Sequence, residues 1–165
     1  MVHELRAHPD GRGARVAIAV ARFNEQVTER LLQGALQACR AAGVADGDVT
    51  VVRVPGAFEL PLACHWLAGS GRFDAVAALG AVVRGDTDHY DYVCRAATDG
   101  VLRANLDTGV PIAFGVLTCD DFDQALARAG GDAGNKGADA VQAALEMAAL
   151  RRTLAGASAK SPTPR

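Results

Sequence analysis

Residues 15–39, RVAIAVARFNEQVTERLLQGALQAC, decide the fold class, because they place a strand pattern directly before a helix pattern. Residues 15–21 form a short β-branched run with few polar breaks, which suits a strand buried on both faces. From Val27 onward, apolar side chains recur at helical spacing until Gly43, a residue type that commonly ends helices. A buried strand followed by an amphipathic helix predicts one βα unit of a parallel sheet.

The same alternation continues along the rest of the chain. Further strands are predicted at 49–54, 75–83 and 112–117, and further helices at 59–67, 90–106, 121–129 and 136–154. The order βαβαβαβαα predicts four parallel strands with right-handed crossovers and helices on both faces. The expected fold is therefore a single-domain, flavodoxin-like, three-layer α/β/α sandwich over residues 15–154. Residues 1–14 are expected to be a flexible N-terminal arm, and residues 155–165 a disordered C-terminal tail.

Composition and charge narrow the classes of function. Half of the 165 residues are hydrophobic, which is enough to build the core of one domain. The 17 basic and 19 acidic residues leave a net charge of −2 and no broad basic surface, so no nucleic-acid partner is expected. The apolar runs are too short to span a membrane, and the first fifteen residues lack the apolar centre of a signal peptide. We therefore expect a cytoplasmic protein.

Four cysteines are scattered along the chain at positions 39, 64, 94 and 119. Structural zinc sites usually draw their ligands from close pairs, and no such pair is present. The spacing does not resemble a disulfide framework either. We expect buried free thiols and no metal site.

Aromatic residues follow the predicted strands at the edge where parallel sheets bind ligands. Phe23 and Phe58 come directly after the first and second strands, and Phe114 lies within the fourth. Such rings supply flat apolar surfaces for a planar ligand. The alternative is that Phe23 and Phe58 anchor their loops on the core. The sequence leaves both interpretations open.

The loop after the third strand, RGDTDH, combines an anion-binding pattern with a titratable side chain. Gly85, Asp86 and Thr87 lie just before a helix, where backbone N–H groups and the helix dipole favour an anion. Thr87 or Asp88 can also simply cap that helix, and both roles are compatible. His89, in the first turn, is suited to moving protons near neutral pH, although an isolated histidine is more often structural.

A second glycine-rich segment, residues 129–137, fails as a phosphate-binding P-loop. A P-loop requires G-x-x-x-x-G-K-[ST] after a strand, whereas this segment follows a predicted helix and has Asn135 after Gly134. No dinucleotide fingerprint follows the first strand, so no nucleotide cofactor is expected. Arg128 and Lys136 remain as cations for a phosphate or a hydroxyl-rich ligand, or they lie at helix ends for dipole reasons.

Five segments together resemble one enzyme family, the lumazine synthases. They are ARFN (21–24), PGAFELP (55–61), ALGAVVRGDTDHYDYV (78–93), FGVLT (114–118) and AGNKG (133–137). The likeness runs in register from about Arg15 to Leu150. It implies a transferase that condenses 5-amino-6-(D-ribitylamino)uracil with 3,4-dihydroxy-2-butanone 4-phosphate. The products are 6,7-dimethyl-8-ribityllumazine, phosphate and water, in the penultimate step of riboflavin biosynthesis. The resemblance implies neither a metal nor an organic cofactor.

The resemblance also implies roles for individual residues. The ribitylaminouracil substrate is expected to contact residues from five segments, namely Phe23, Ala57, Phe58, Glu59, Ala81, Val82, Val83, Phe114 and Lys136. The butanone phosphate is expected to contact Gly85, Asp86, Thr87 and Arg128. His89 is expected to shuttle protons during imine formation, phosphate elimination and ring closure. Phe114 and Arg128 are expected to reach in from a neighbouring subunit, with Lys136 supporting that side.

The resemblance also bears on assembly, and the sequence differs from the usual family pattern at Asp86 and Asp88. The family builds homopentamers, some of which form an icosahedral, sixty-subunit shell; riboflavin synthase is a further partner that it suggests. Asp86 stands where glutamate or alanine is usual, and Asp88, where threonine or proline is usual, adds a carboxylate next to His89. The alternative function is a non-catalytic paralogue that binds flavin or lumazine or serves as a shell.

Overall fold

Four parallel strands form the central sheet of this protein, whose structure is a computed structural model describing residues 1–158. The strands are β1 (Val16–Ala21), β2 (Val49–Val54), β3 (Ala75–Val83) and β4 (Ile112–Cys119). Their order across the sheet is β2-β1-β3-β4, and each neighbouring pair is parallel. The predicted four-stranded parallel sheet is confirmed, with β2 and β4 as its edges.

Within residues 1–158, five α-helices cover the two faces of this sheet. They are α1 (Glu25–Ala41), α2 (Leu60–Gly69), α3 (His89–Thr108), α4 (Phe122–Ala127) and α5 (Lys136–Ser158). Side chains along β1 alternate between the faces: Val16, Ile18 and Val20 pack with α1 and α5, and the intervening alanines pack with α2 and α3. Every residue of β1 is buried. The three-layer sandwich is therefore confirmed, with one apolar core on each side of the sheet.

The glycine-rich segment before α5 serves as a packing contact. A Cβ atom added at Gly137 would overlap the backbone carbonyl of Leu31 in α1. The Asn135 side chain donates from Nδ2 to the carbonyl oxygen of Arg30 at 3.0 Å and accepts from the Gly137 and Ala138 N–H groups through Oδ1. Asn135 thereby caps α5 and ties it to α1, which gives the Gly-Asn-Lys-Gly pattern a structural cause.

Two features in the second half of the chain differ from the sequence expectations. Residues 129–135, expected to end a helix and form a loop, contain a short antiparallel hairpin of β5 (Ala129–Gly131) and β6 (Gly134–Asn135). Gly130 and Gly134 have positive φ angles of 103° and 78°, which glycine adopts without steric cost. Strand β4 runs two residues further than expected.

The two terminal segments also bear on the expected domain limits. Helix α5 continues to Ser158, inside the segment expected to be disordered; residues 159–165 lie outside the described part of the chain. At the other end, Gly11 donates its N–H to the Ala42 carbonyl oxygen and Ala14 is buried, so the last residues of the arm pack on the domain. Within residues 1–158, no helix combines the length and apolarity needed to cross a membrane.

Candidate active site

A cavity of about 730 Å³ opens at the carboxyl ends of β1, β2 and β3. Three loops and the start of α3 surround it. The residues predicted from the sequence that line this cavity are Phe23, Ala57, Phe58, Glu59, Ala81, Val82, Val83, Gly85, Thr87 and His89. Parallel strands end at the same edge of a sheet, so loops that are distant in sequence meet there. Asp86 is the one residue of its loop triplet that is absent from the lining.

The two phenylalanines at the cavity are largely exposed. Phe23 retains 73% of its accessible surface and Phe58 retains 63%, so neither ring anchors its loop in the core. The loop that carries Phe23 is held instead by its backbone: the Phe23 N–H donates to the Pro55 carbonyl oxygen at 3.0 Å. Exposed rings on a fixed loop favour the ligand-contact interpretation over the packing interpretation.

Asn24 fixes the turn between Phe23 and α1. Its backbone is left-handed (φ 60°, ψ 47°), a conformation that asparagine tolerates better than most residues. Its Nδ2 donates to the carbonyl oxygen of Ala81 at the end of β3, at 2.8 Å. The sequence analysis quoted Asn24 within the ARFN motif but assigned it no role. Its place before a helix suggests a cap, yet its side chain makes no capping hydrogen bond to α1.

Glu59 presents a carboxylate that is already oriented by the loop after β2. The Gly56 N–H donates to its Oε2 at 3.0 Å, while Oε1 accepts no hydrogen bond from any part of the chain that the structure describes. The side chain is exposed at the cavity. A carboxylate oxygen with free lone pairs can accept hydrogen bonds from ligand hydroxyls.

The loop before α3 leaves backbone donors unused. The Thr87 hydroxyl accepts from the His89 N–H at 3.4 Å, so Thr87 takes the capping role that was one of its two expectations. The Asp88 carboxylate makes no capping hydrogen bond. Within residues 1–158, the N–H groups of Gly85, Asp86 and Thr87 donate to no protein acceptor. These donors, beside the positive end of a helix, are available to an anion.

Tyr90 and Val93 of α3 complete the wall of the cavity, together with Pro55 and Gly56. Sequence reasoning assigned none of these four to the site. For Tyr90 a signal existed, because it directly follows His89 in the first turn of the same helix. Its phenol is partly buried, and this burial is the main cause that raises the pKa of Tyr90.

Three other predicted residues meet in a second cavity of about 500 Å³, along the edge strand β4 and the start of α5. Phe114, Arg128 and Lys136 all line it, and none of them lines the first cavity. Phe114 is 42% exposed although it lies within a strand. The structure thus divides the predicted site residues into two sets at different places on one chain.

Arg128 is the cation of this second cavity that has no acidic partner within residues 1–158. One terminal nitrogen of its guanidinium donates to the Gln124 carbonyl oxygen at 3.0 Å, and no carboxylate within residues 1–158 pairs with it. Lys136, by contrast, pairs with Asp139 at 3.2 Å. A half-buried arginine without an acidic partner is a ready site for a phosphate.

Metal ligands do not cluster in the described part of the chain: no group of three or more His, Cys, Asp or Glu side chains is placed to hold an ion. All four cysteines are free thiols, and Cys39, Cys64 and Cys119 are buried. Burial raises the pKa of the Cys39 thiol to about 11 and that of Cys64 to about 12.

Comparison with known proteins identifies the family. The family model described as 6,7-dimethyl-8-ribityllumazine synthase matches residues 13–152 of the chain. The chain belongs to this family. The resemblance read from the five motifs is confirmed, and the lumazine synthase match covers both cavities and the whole sheet.

Relatives from distant organisms agree with this assignment. A protein of Anaeromyxobacter sp. (strain K) is 53% identical over 150 residues, which are 91% of this chain and 93% of that protein. One of Salinibacter ruber is 55% identical over 144 residues, covering 87% and 92% of the two chains. A third, from Arabidopsis thaliana, is 54% identical over 140 residues, 85% of this chain and 62% of the relative. The first two carry the name 6,7-dimethyl-8-ribityllumazine synthase, and the plant protein carries the same name with the word chloroplastic.

Proposed function

We propose that this chain is a 6,7-dimethyl-8-ribityllumazine synthase. It condenses 5-amino-6-(D-ribitylamino)uracil with 3,4-dihydroxy-2-butanone 4-phosphate and releases phosphate and water, the penultimate step of riboflavin biosynthesis. The observation that carries the proposal is the convergence of three strand-end loops on one cavity, in a chain more than half identical to enzymes of that name.

The first cavity is suited to the ribitylaminouracil substrate. In this proposal the ring of Phe23 stacks on the pyrimidine, which is planar and matches an exposed aromatic face. Oε1 of Glu59 accepts from the ribityl hydroxyls, next to Ala57 and Phe58. Backbone groups of Val82 and Val83 at the end of β3 meet the polar edge of the uracil.

The loop before α3 is suited to the butanone phosphate. Free N–H groups at Gly85, Asp86 and Thr87 bind the phosphate oxygens, with the Asp86 side chain kept outside the cavity. His89 then moves protons as the imine forms, phosphate leaves and the ring closes. Much of the rate gain comes from holding the two substrates together in a reactive orientation.

The site is completed, in this proposal, by a second copy of the chain. Phe114, Arg128 and Lys136 line a separate cavity beside the edge strand β4 and do not line the first cavity, which supports a site shared between two copies. A neighbour that places its β4 edge over the first cavity supplies Arg128 to the phosphate. Exposed apolar side chains on α2 and α3 give further surface for such contacts, namely Leu62, Trp66, Leu102 and Leu106.

We propose a homopentamer as the unit that holds these shared sites, and its growth to an icosahedral shell as the larger assembly. In a cyclic assembly each chain can place its β4 edge over the first cavity of one neighbour and receive the β4 edge of the other neighbour over its own first cavity. Association with riboflavin synthase stays a prediction from the resemblance. A cytoplasmic location is proposed on the four free thiols, which suit a reducing compartment.

A turnover assay with the purified chain tests this function. Both substrates are mixed with the protein, and lumazine absorbance and phosphate release are followed together. Arg128→Ala should abolish use of the phosphate substrate, because the phosphate charge loses its cation, whereas His89→Ala should slow turnover and leave binding intact. His65→Ala is the matched histidine control, because His65 is exposed on α2 and lines neither cavity, and it should match the wild-type rate. A folded oligomer that binds lumazine without turnover would support the non-catalytic alternative.

A further inference from the structure

Arg84 lies between β3 and the loop before α3, and the roles proposed above leave it unused. Its Nε donates to Oδ1 of Asp120, at the end of β4, at 3.0 Å. A terminal guanidinium nitrogen lies 3.7 Å from Oδ1 of Asp91 in the first turn of α3. The guanidinium carbon also sits over the ring of Tyr90, 4.3 Å from its centroid. One side chain therefore joins the edge strand, the helix and an aromatic residue of the cavity wall.

Two partners of Arg84, Tyr90 and Asp91, lie beside His89 at the phosphate end of the site. Tyr90 lines the first cavity and directly follows His89, and Asp91 lies in the same helical turn. The Arg84 main chain is fixed too, since its N–H donates to the Cys119 carbonyl oxygen at 2.9 Å. The three free N–H groups begin at the next residue. A shift of Arg84 would thus move the anion loop and the histidine together.

The same connection extends to the second cavity. The Asp120 N–H donates to Oε1 of Gln124 at 2.9 Å, and the Gln124 carbonyl oxygen accepts from Arg128 at 3.0 Å. The chain of contacts Arg84–Asp120–Gln124–Arg128 therefore links the anion loop on one side of the protomer to the unpaired cation on the other. In the proposed function, on which this inference rests, the anion loop and Arg128 both bind phosphate.

We propose that Arg84 is a positioning residue for the butanone phosphate half of the reaction. Its planar fork of donors can pair with two carboxylates while its face stacks on Tyr90, which a lysine cannot reproduce. It also offsets the negative charge of Asp91 and Asp120 close to the anion loop, where an uncompensated carboxylate would repel the substrate. The Arg84 side chain is about half exposed, at 49%, and exposed ion pairs contribute little to stability. Its loss should therefore affect geometry and charge at the site more than folding.

Steady-state kinetics with each substrate varied in turn tests this role. Arg84→Gln should raise KM for the butanone phosphate about tenfold and lower kcat, with KM for the uracil substrate within about twofold of wild type. Arg84→Lys should recover part of the KM effect, because it keeps the charge, but not the kcat effect, because it loses the fork and the stacking. Arg95→Gln is the matched control on the exposed face of α3, and it should behave as wild type. In a double-mutant cycle, Arg84→Gln and Asp120→Asn should be less than additive.

A binding measurement keeps this inference separate from the proposed function. Calorimetric titration with inorganic phosphate should show weaker binding to Arg84→Gln than to wild type and to Arg95→Gln. If the wild-type chain does not turn over, the proposed function fails and this titration alone decides the role of Arg84. Equal changes in both KM values with a matching fall in Tm would overturn the inference, and so would wild-type kinetics and phosphate binding in Arg84→Gln.

Discussion

Truncating Phe23 should separate ligand binding from folding. The ring keeps 73% of its surface exposed, so Phe23→Ala removes little buried contact and should change the free energy of unfolding by less than about 0.5 kcal/mol. Stacking of an aromatic side chain on a nucleobase is worth roughly 1–3 kcal/mol by alanine substitution. Affinity for the ribitylaminouracil substrate should therefore fall about 5- to 150-fold. The loop itself should persist, since it is held by the Phe23 backbone and the Asn24 amide.

Phe73→Ala is the matched control, because the same side chain is 7% exposed there. Its loss should cost about 3–5 kcal/mol of stability by opening a cavity, with little direct effect on ligand affinity in the molecules that remain folded. Urea unfolding gives the first quantity for both variants, and calorimetric titration with the uracil substrate gives the second. Phe23→Trp should keep most of the affinity, since it restores a flat ring. The reasoning is refuted if Phe23→Ala binds as tightly as wild type, or if it loses as much stability as Phe73→Ala.

Three further predictions concern packing, backbone and pH. Gly137→Ala drives a Cβ atom into the backbone of α1 and should cost about 1–3 kcal/mol in urea unfolding, whereas alanine at the exposed Gly156 should not. Asn24→Ala loses the hydrogen bond to Ala81 and places alanine in a left-handed conformation, which should lower the free energy of unfolding by about 1–3 kcal/mol. Asn24→Gly should lower it by less, because glycine relieves the backbone strain although the hydrogen bond is still lost. Burial raises the pKa of Cys39 to about 11 and that of Cys64 to about 12. Above pH 9 these thiols therefore stay protonated in the folded chain while they ionise in the unfolded chain. Their contribution to stability is full below pH 9 and is lost as pH rises through 11 to 12; Cys→Ala at both positions should flatten the fall in urea midpoint above pH 9.

The element order could be predicted because hydrophobic periodicity reports burial directly. Residues 16–21 are apolar on both faces, and the structure buries them on both faces. The place of the site followed from the same reasoning, since loops after parallel strands gather at one edge. Ten of the predicted residues line one cavity for that reason.

Other features depend on contacts between distant segments, which periodicity does not report. The role of Asn24 requires knowing that Ala81 ends beside it across the sheet, 57 positions away in sequence. From the sequence, Gly137 and Asn135 resemble parts of a ligand-binding loop. Their packing role is evident only from their contacts with α1. The separation of Phe114 and Arg128 from Phe23 depends on β4 being an edge strand, which the order of strands along the chain does not determine.

Mixed oligomers test most directly the proposal that each active site takes His89 from one copy of the chain and Arg128 from the next. Co-expressed His89→Ala and Arg128→Ala chains should form intact sites at about a quarter of interfaces, with activity well above either variant alone. In the control, wild type is mixed equally with the chain that carries both substitutions. Shared sites predict about a quarter of wild-type activity there, and self-contained sites predict about half. Shared sites are supported if activity recovers in the first mixture and the second mixture has about a quarter of wild-type activity. They are contradicted if the first mixture recovers no activity and the second has about half of wild-type activity.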